Sequence, residues 1–188
     1  MDPQSVKIVI AGGFGTGKTT FVGSVSEIPP LTTEELLTEA SVGVDDLAGI
    51  EGKTNTTVAL DFGRITINSE IVLYLFGTPG QGRFWFMWDE LSRGAVGAIV
   101  LADPRRLESS FAAIDYFERR RIPFIIAINM FYGRCDYAIE EIRDALRLDA
   151  VVPIVLCDAR DRETTRHALI ELVRHAMTRM PISAEQVS

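Results

Sequence analysis

The residues Gly12-Gly13-Phe14-Gly15-Thr16-Gly17-Lys18-Thr19 carry the pattern G-x-x-x-x-G-K-[ST], directly after an apolar β-rich run and before a helical stretch opening Thr19-Thr20-Phe21-Val22. Glycines at this spacing let successive backbone N–H groups point into one concavity, and the following helix adds positive potential at its N-terminus. Lys18 is then placed for the β- and γ-phosphates of a nucleotide, and the Thr19 hydroxyl for Mg²⁺. Gly12, Gly13, Phe14, Gly15, Thr16, Gly17, Lys18, Thr19 and Thr20 are the nucleotide-binding residues expected here. A dinucleotide fingerprint fails, because counting G-x-G-x-x-G from Gly13 puts Lys18 where a third glycine is needed. The loop alone leaves kinase, ATPase and switch protein open.

Such a loop needs a parallel sheet to hold it. The runs Val6 to Ala11, Val58 to Ile67, Ile71 to Phe76, Ala98 to Ala102, Pro123 to Ile128 and Val151 to Leu156 read as six strands. Helical spacing links Leu107, Phe111 and Ile114, then Ile139, Ile142 and Leu146, then Leu169, Leu172, Val173, Ala176 and Met180. This alternation predicts an α/β fold of the P-loop NTPase type, a sheet with helices on both faces. Asn68-Ser69 joins two neighbouring strands too closely for a crossover, so an antiparallel hairpin makes the sheet mixed. Ile28 to Asn55 reads as a long excursion with one short helix at about 33–40, capped by Thr33. A solvated acidic insertion is the equal alternative there.

The chain has 188 residues, 47% of them hydrophobic, which suits one domain spanning 1–188 with a sizeable core. Its 19 basic and 26 acidic side chains give a net charge of −7. The excess is local: Glu27, Glu34, Glu35, Glu39, Asp45, Asp46 and Glu51 fall between Lys18 and Lys53, where no base occurs. The charge balance argues against a general binder of nucleic acid or anionic membrane, which needs a basic face. Cys135 and Cys157 are far apart, without metal or disulfide spacing, and the chain reads as cytoplasmic. No apolar run approaches the roughly 18 residues that span a bilayer, so membrane association is expected only through a partner.

Three further stretches follow the strands. Thr56-Thr57-Val58-Ala59-Leu60-Asp61-Phe62-Gly63 resembles the effector-loop threonine and strand of Ras-like small GTPases, with Thr57 as the matching residue. The resemblance implies that Thr57 grips Mg²⁺ and the γ-phosphate in an ordered loop; by itself it also reads as an ordinary strand threonine. Leu75-Phe76-Gly77-Thr78-Pro79-Gly80-Gln81 resembles the D-T-A-G-Q segment of that family. It implies that the Gly80 N–H meets the γ-phosphate and that Gln81, catalytic together with Lys18, orients the attacking water. Gly77 stands where the family carries an aspartate that holds the metal through water, which leaves Thr19 and Thr57 as the expected metal ligands. Asn129-Met130-Phe131-Tyr132 and Cys157-Asp158-Ala159-Arg160 resemble N-K-x-D and C-S-A-K. By that match Asn129 braces the nucleotide loops and the Ala159 N–H meets the base, while Tyr132 replaces the guanine-selecting aspartate and keeps ATP open beside GTP.

Together with Arg83-Phe84-Trp85-Phe86-Met87-Trp88, these segments resemble the Ras-like GTPases of actinobacterial conservons, relatives of the polarity GTPase MglA. The resemblance spans about the whole chain. It implies a molecular switch with a Roadblock-type partner and a sensor-kinase-like membrane protein, and the bulky Phe14, which would crowd an arginine finger supplied in trans, makes slow turnover the expectation. One helix face cannot bury Phe84 to Trp88 together, so part of this run is expected as a partner surface. Arg83, Arg105 and Arg106 are candidates for a cis arginine finger. Two alternatives stand beside the switch: a nucleotide-bound interaction module without significant hydrolysis, and a P-loop kinase for a small molecule.

Overall fold

A computed structural model describes residues 3–29, 31–37, 56–80 and 85–179. Its elements run β1 (Gln4–Gly12), α1 (Lys18–Val25), β2 (Leu31–Leu37), β3 (Thr56–Thr66), β4 (Ile71–Gly77), α2 (Trp85–Ser92), β5 (Ala95–Ala102), α3 (Phe111–Arg120), β6 (Phe124–Asn129), α4 (Ile139–Leu146), β7 (Ile154–Cys157) and α5 (Arg162–Arg179). Short 3₁₀ turns precede α3 at Leu107–Ser110 and follow β6 at Phe131–Gly133.

The strands form a sheet in the order β2-β3-β4-β1-β5-β6-β7. β4, β1, β5, β6 and β7 run parallel, whereas β2, β3 and β4 pair antiparallel. The hairpin between β3 and β4 closes where expected, with Asn68 Oδ1 accepting the Glu70 and Ile71 N–H groups at 2.8 Å each.

Two expectations need correction. Residues 33–37 do not open the expected helix, because Leu31–Leu37 is a strand whose register runs from Leu31 opposite Phe62 to Leu37 opposite Thr56. The sheet therefore has seven strands among the described residues, not six. The physical reason lies outside the segment. An unpaired β3 would expose a row of N–H and C=O groups, and β2 satisfies them. The adjacent Thr32 and Thr33 are β-branched and compatible with that demand. Residues 38–55, the rest of the long excursion, lie outside the described residues.

Alternation along the central strands splits the core. Val9, Ala98, Val100, Ile126 and Ile128 face Trp88, Phe117 and Ile142 of α2, α3 and α4. Ile8, Ile10, Ile99 and Leu101 face Phe21 and Val22 of α1 and Leu169 and Leu172 of α5. Parallel strands buried on both sides need this continuous apolar character, and each buried Leu, Ile or Phe contributes about 1.5–3 kcal/mol. All the central strands point their carboxyl ends the same way, so the loops after β1, β4, β5, β6 and β7 gather at one edge. Among the described residues no helix is long and apolar enough to cross a membrane.

Candidate functional site

The turn from β1 into α1 is possible because of its glycines. Gly15 and Gly17 have φ of +74° and +101°, in the left-handed region that side chains with a Cβ resist. Gly17 precedes the first residue of α1 with no side-chain cap, which leaves the helix entrance to a ligand. Thr16 is fully buried, and its hydroxyl donates to the Gly13 carbonyl at 3.0 Å, which ties the loop to itself. Lys18 Nζ folds back over the loop and donates to the carbonyls of Gly12 at 3.0 Å and Gly13 at 2.7 Å. Burial pushes the Lys18 ammonium down to about 8, opposed by the Asp61 carboxylate. Thr20 is exposed in the first turn of α1, and Phe14 projects from the loop with 71% of its surface exposed.

The segment after β4 lies directly against this loop. A Cβ added to Gly80 would sit 2.8 Å from Phe14 Cα and 2.9 Å from Lys18 Nζ, so a main chain without a side chain is required there. Thr78, also buried, donates its N–H to the Ile10 carbonyl at 2.8 Å and fixes the exit from β4 beside the end of β1. Gln81 and Arg83 lie outside the described residues. Thr57 lies within β3, opposite Leu36 of β2, rather than in a free loop.

Asn129 ends β6 and is buried. It donates through Nδ2 to the Thr16 carbonyl and accepts the Ala159 N–H on Oδ1, each at 3.0 Å, so one side chain ties the phosphate loop to the loop after β7. The Ala159 N–H meets a base only if it leaves Asn129. Tyr132 adopts φ of 62° and is 83% exposed, its ring 5.8 Å from the Arg160 guanidinium. Arg160 in turn donates to Asp158 at 2.9 and 2.6 Å and holds that carboxyl down at about 2.

Asp103, fully buried just past β5, divides the two candidate arginines. Arg105 pairs with it through two bonds of 2.9 and 2.8 Å and lies 4.2 Å over the Phe131 ring, on the side of the loops after β6. Arg106 reaches across the phosphate loop to the Phe14 carbonyl at 3.3 Å. Of the two, only Arg106 touches the phosphate loop. On α2, Trp88 is buried and Phe86 is 62% exposed, so the apolar run is divided between core and surface.

Sequence reasoning passed over Asp61. This aspartate, 7% exposed, accepts the Thr19 hydroxyl on Oδ2 at 2.7 Å and so joins the middle of the antiparallel hairpin to the phosphate loop. Its signal was present as an acid inside the run Val58-Ala59-Leu60-Asp61-Phe62, where an ordinary strand has no use for a charge. The donor set fits a hard cation: a hydroxyl and a carboxylate, both oxygen ligands. Among the described residues no group of three or more His, Cys, Asp or Glu could hold a metal, so phosphate oxygens would have to complete the shell.

A family model described as "Conserved hypothetical ATP binding protein" matches residues 10–179. An uncharacterized protein of Methanocaldococcus jannaschii is 30% identical over 131 residues, covering 69% of this chain and 72% of that protein. Among solved structures, the G domain of the T. maritima FeoB iron transporter is 18% identical with a TM-score of 0.63, covering 92% of this chain and 99% of that one. The cytosolic domain of the same transporter in a GDP form is 17% identical with a TM-score of 0.65, covering 94% of this chain and 65% of that one. At these identities the two structures establish a shared fold.

Proposed function

The chain belongs to the family of conserved hypothetical ATP-binding proteins, and from that premise of a nucleotide-binding P-loop domain we propose a switch that binds a nucleoside triphosphate with Mg²⁺ and hydrolyses it slowly. The observation that carries this reading is the contact of Gly80 with the phosphate loop. The Gly80 main chain lies so near the loop that an added Cβ would stand 2.9 Å from both Phe14 N and Lys18 Nζ, close enough for a γ-phosphate bound by Lys18 to meet this segment. A phosphate-binding loop that only anchored a ligand would not need a second segment at that distance.

In this reading Lys18 exchanges the Gly12 and Gly13 carbonyls for phosphate oxygens, and the loop N–H groups with the α1 entrance cradle the remaining charge. Thr19 and Thr57 supply metal oxygens, and Mg²⁺, when bound, neutralises charge developing on the phosphoryl group. In this reading the start of β3 parts from Leu36 of β2 when triphosphate binds, and that pairing is the bistable element. Gly80 contacts the γ-phosphate and Gln81 positions water. Asn129 keeps the two nucleotide loops in register, and the Ala159 N–H turns to the base. Phe131 and Tyr132, flanked by Arg105 and Arg160, offer stacking that serves either purine, so GTP and ATP are both candidate ligands.

Signalling would pass through the exposed Phe86 and Phe14 to a protein partner. The conservon-type assignment, with its Roadblock-type and sensor-kinase-like membrane partners, rests on the resemblance of the segments around Phe76 to Gln81 and Arg83 to Trp88. A non-hydrolysing interaction module is the second reading, favoured by Gly77, Tyr132 and Phe14, whose exposed ring would crowd an arginine finger supplied by a partner.

Hydrogen exchange tests the switch, with the triphosphate, its non-hydrolysable analogue and the diphosphate compared in Mg²⁺. The triphosphate forms should alter protection at the start of β3 and through residues 78–88, and phosphate release should return the diphosphate pattern. Identical protection in all three states overturns the switch. Altered protection without phosphate release selects the non-hydrolysing module.

A further inference from the structure

Gly77 ends β4, at the position where the segment it resembles carries an aspartate. The glycine leaves the position empty, yet the carboxylate is present from the neighbouring strand. Asp61 of β3 is paired directly opposite Gly77 in the antiparallel register. An added Cβ on Gly77 would sit 2.9 Å from Asp61 Cβ and 3.0 Å from Asp61 Oδ2, closer than real side chains approach. One space at the edge of the site is therefore shared by two backbone positions, and only one of them can fill it.

We propose that Asp61 is the carboxylate of the Mg²⁺ site, reaching it across the hairpin, and that position 77 is glycine because the Asp61 side chain occupies its place. The inference rests on the nucleotide reading above and adds to it a metal-site residue that the β4 segment does not supply. Three observations carry it. Asp61 is buried at 7% exposure inside a largely apolar strand, where a carboxylate is costly unless polar or charged groups meet it. Its Oδ2 holds the hydroxyl of Thr19, the residue the loop presents to the metal, at 2.7 Å. Its Oδ2 would stand 3.0 Å from a Cβ added to Gly77, which places the carboxylate at the end of β4. The hydrogen bond from Thr19 joins the strand to a side chain of the ligand loop.

Asp61 can act on the ion directly or through a water, and either mode gives the same dependence. With Thr19 and Asp61 already joined, the metal-side oxygens are prearranged before nucleotide arrives, and phosphate oxygens complete the set. Metal entry then requires a lone pair of the Thr19 hydroxyl to face the ion, while its O–H goes on donating to Asp61 or Asp61 accepts from a metal-bound water instead.

The test measures release of a fluorescent nucleotide from the full chain with EDTA and over a Mg²⁺ titration, and Mn²⁺ binding to the nucleotide complex by electron paramagnetic resonance. In the wild type, Mg²⁺ should slow release at least tenfold. Asp61→Asn, which keeps an acceptor for Thr19, should reduce that ratio below twofold and weaken Mn²⁺ binding at least tenfold. Exchanging the two residues, Asp61→Gly with Gly77→Asp, should restore most of the Mg²⁺ response, because the register places the carboxylate across the same space. Nucleotide binding with a Mg²⁺ response unchanged by Asp61→Asn overturns this inference alone. A wild type that binds nucleotide without any Mg²⁺ response does the same. A wild type that binds no nucleotide in either condition overturns the nucleotide reading itself, and this inference with it.

Discussion

Removing the amide of Asn129 should loosen both nucleotide loops at once, and its cost can be worked from the contacts. Asn129→Ala deletes two hydrogen bonds of 3.0 Å, to the Thr16 carbonyl and from the Ala159 N–H, worth about 1 kcal/mol each. It also leaves the buried Ala159 N–H without that partner, which adds about 1–3 kcal/mol unless water enters. The two bonds, about 2 kcal/mol, with the low end of that penalty give a loss of about 3 kcal/mol. At about 2–4 °C per kcal/mol for a domain of this size, the unliganded protein should melt about 6–12 °C lower. Calorimetric unfolding in EDTA without nucleotide reads this directly. Asn129→Asp should cost at least as much, because it sets a second oxygen against the Thr16 carbonyl. A drop of less than about 2 °C for Asn129→Ala would refute the claim that this side chain braces the two loops.

The Lys18 ammonium gives a pH signature. Burial holds it at about 8 in the unliganded fold, below its ordinary 10.5, so folding sheds a proton and unliganded stability rises as pH climbs from about 8 toward 10.5. Phosphate favours the charged form, so nucleotide affinity from this group should be flat below about pH 8 and fall by up to tenfold per unit above it, as read by calorimetry in buffers of different ionisation heat. Gly80→Ala places a methyl 2.8 Å from Phe14 Cα. Equilibrium binding should therefore show triphosphate affinity falling at least tenfold more than diphosphate affinity.

The parallel core was legible because its strands are short apolar runs buried on both faces, and the phosphate loop because glycine spacing, lysine and threonine act within one turn of chain. Asn129 could be placed at its strand end for the same reason. β2 was not legible, since Leu31–Leu37 is a strand only in the company of β3, and the demand that makes it one comes from residues 56–62. Asp61 was missed for a related reason. Its partners, Thr19 and Gly77, are distant in sequence and meet only through hairpin register. The division of Arg105 and Arg106 between two sides of the site likewise depends on Asp103, which anchors both.

The central claim is that the loop from Gly12 to Thr19 binds the phosphates of a nucleotide. Calorimetric titration of the full chain with GTP and with ATP in Mg²⁺, repeated on Lys18→Ala, tests it most directly. Saturable binding of one nucleotide per chain is predicted for at least one of the two. Loss of the charged hydrogen bonds from Lys18, about 1.5–3 kcal/mol, should weaken that binding about 10- to 100-fold in the variant. No binding of either triphosphate, or equal affinity in the wild type and Lys18→Ala, would contradict it.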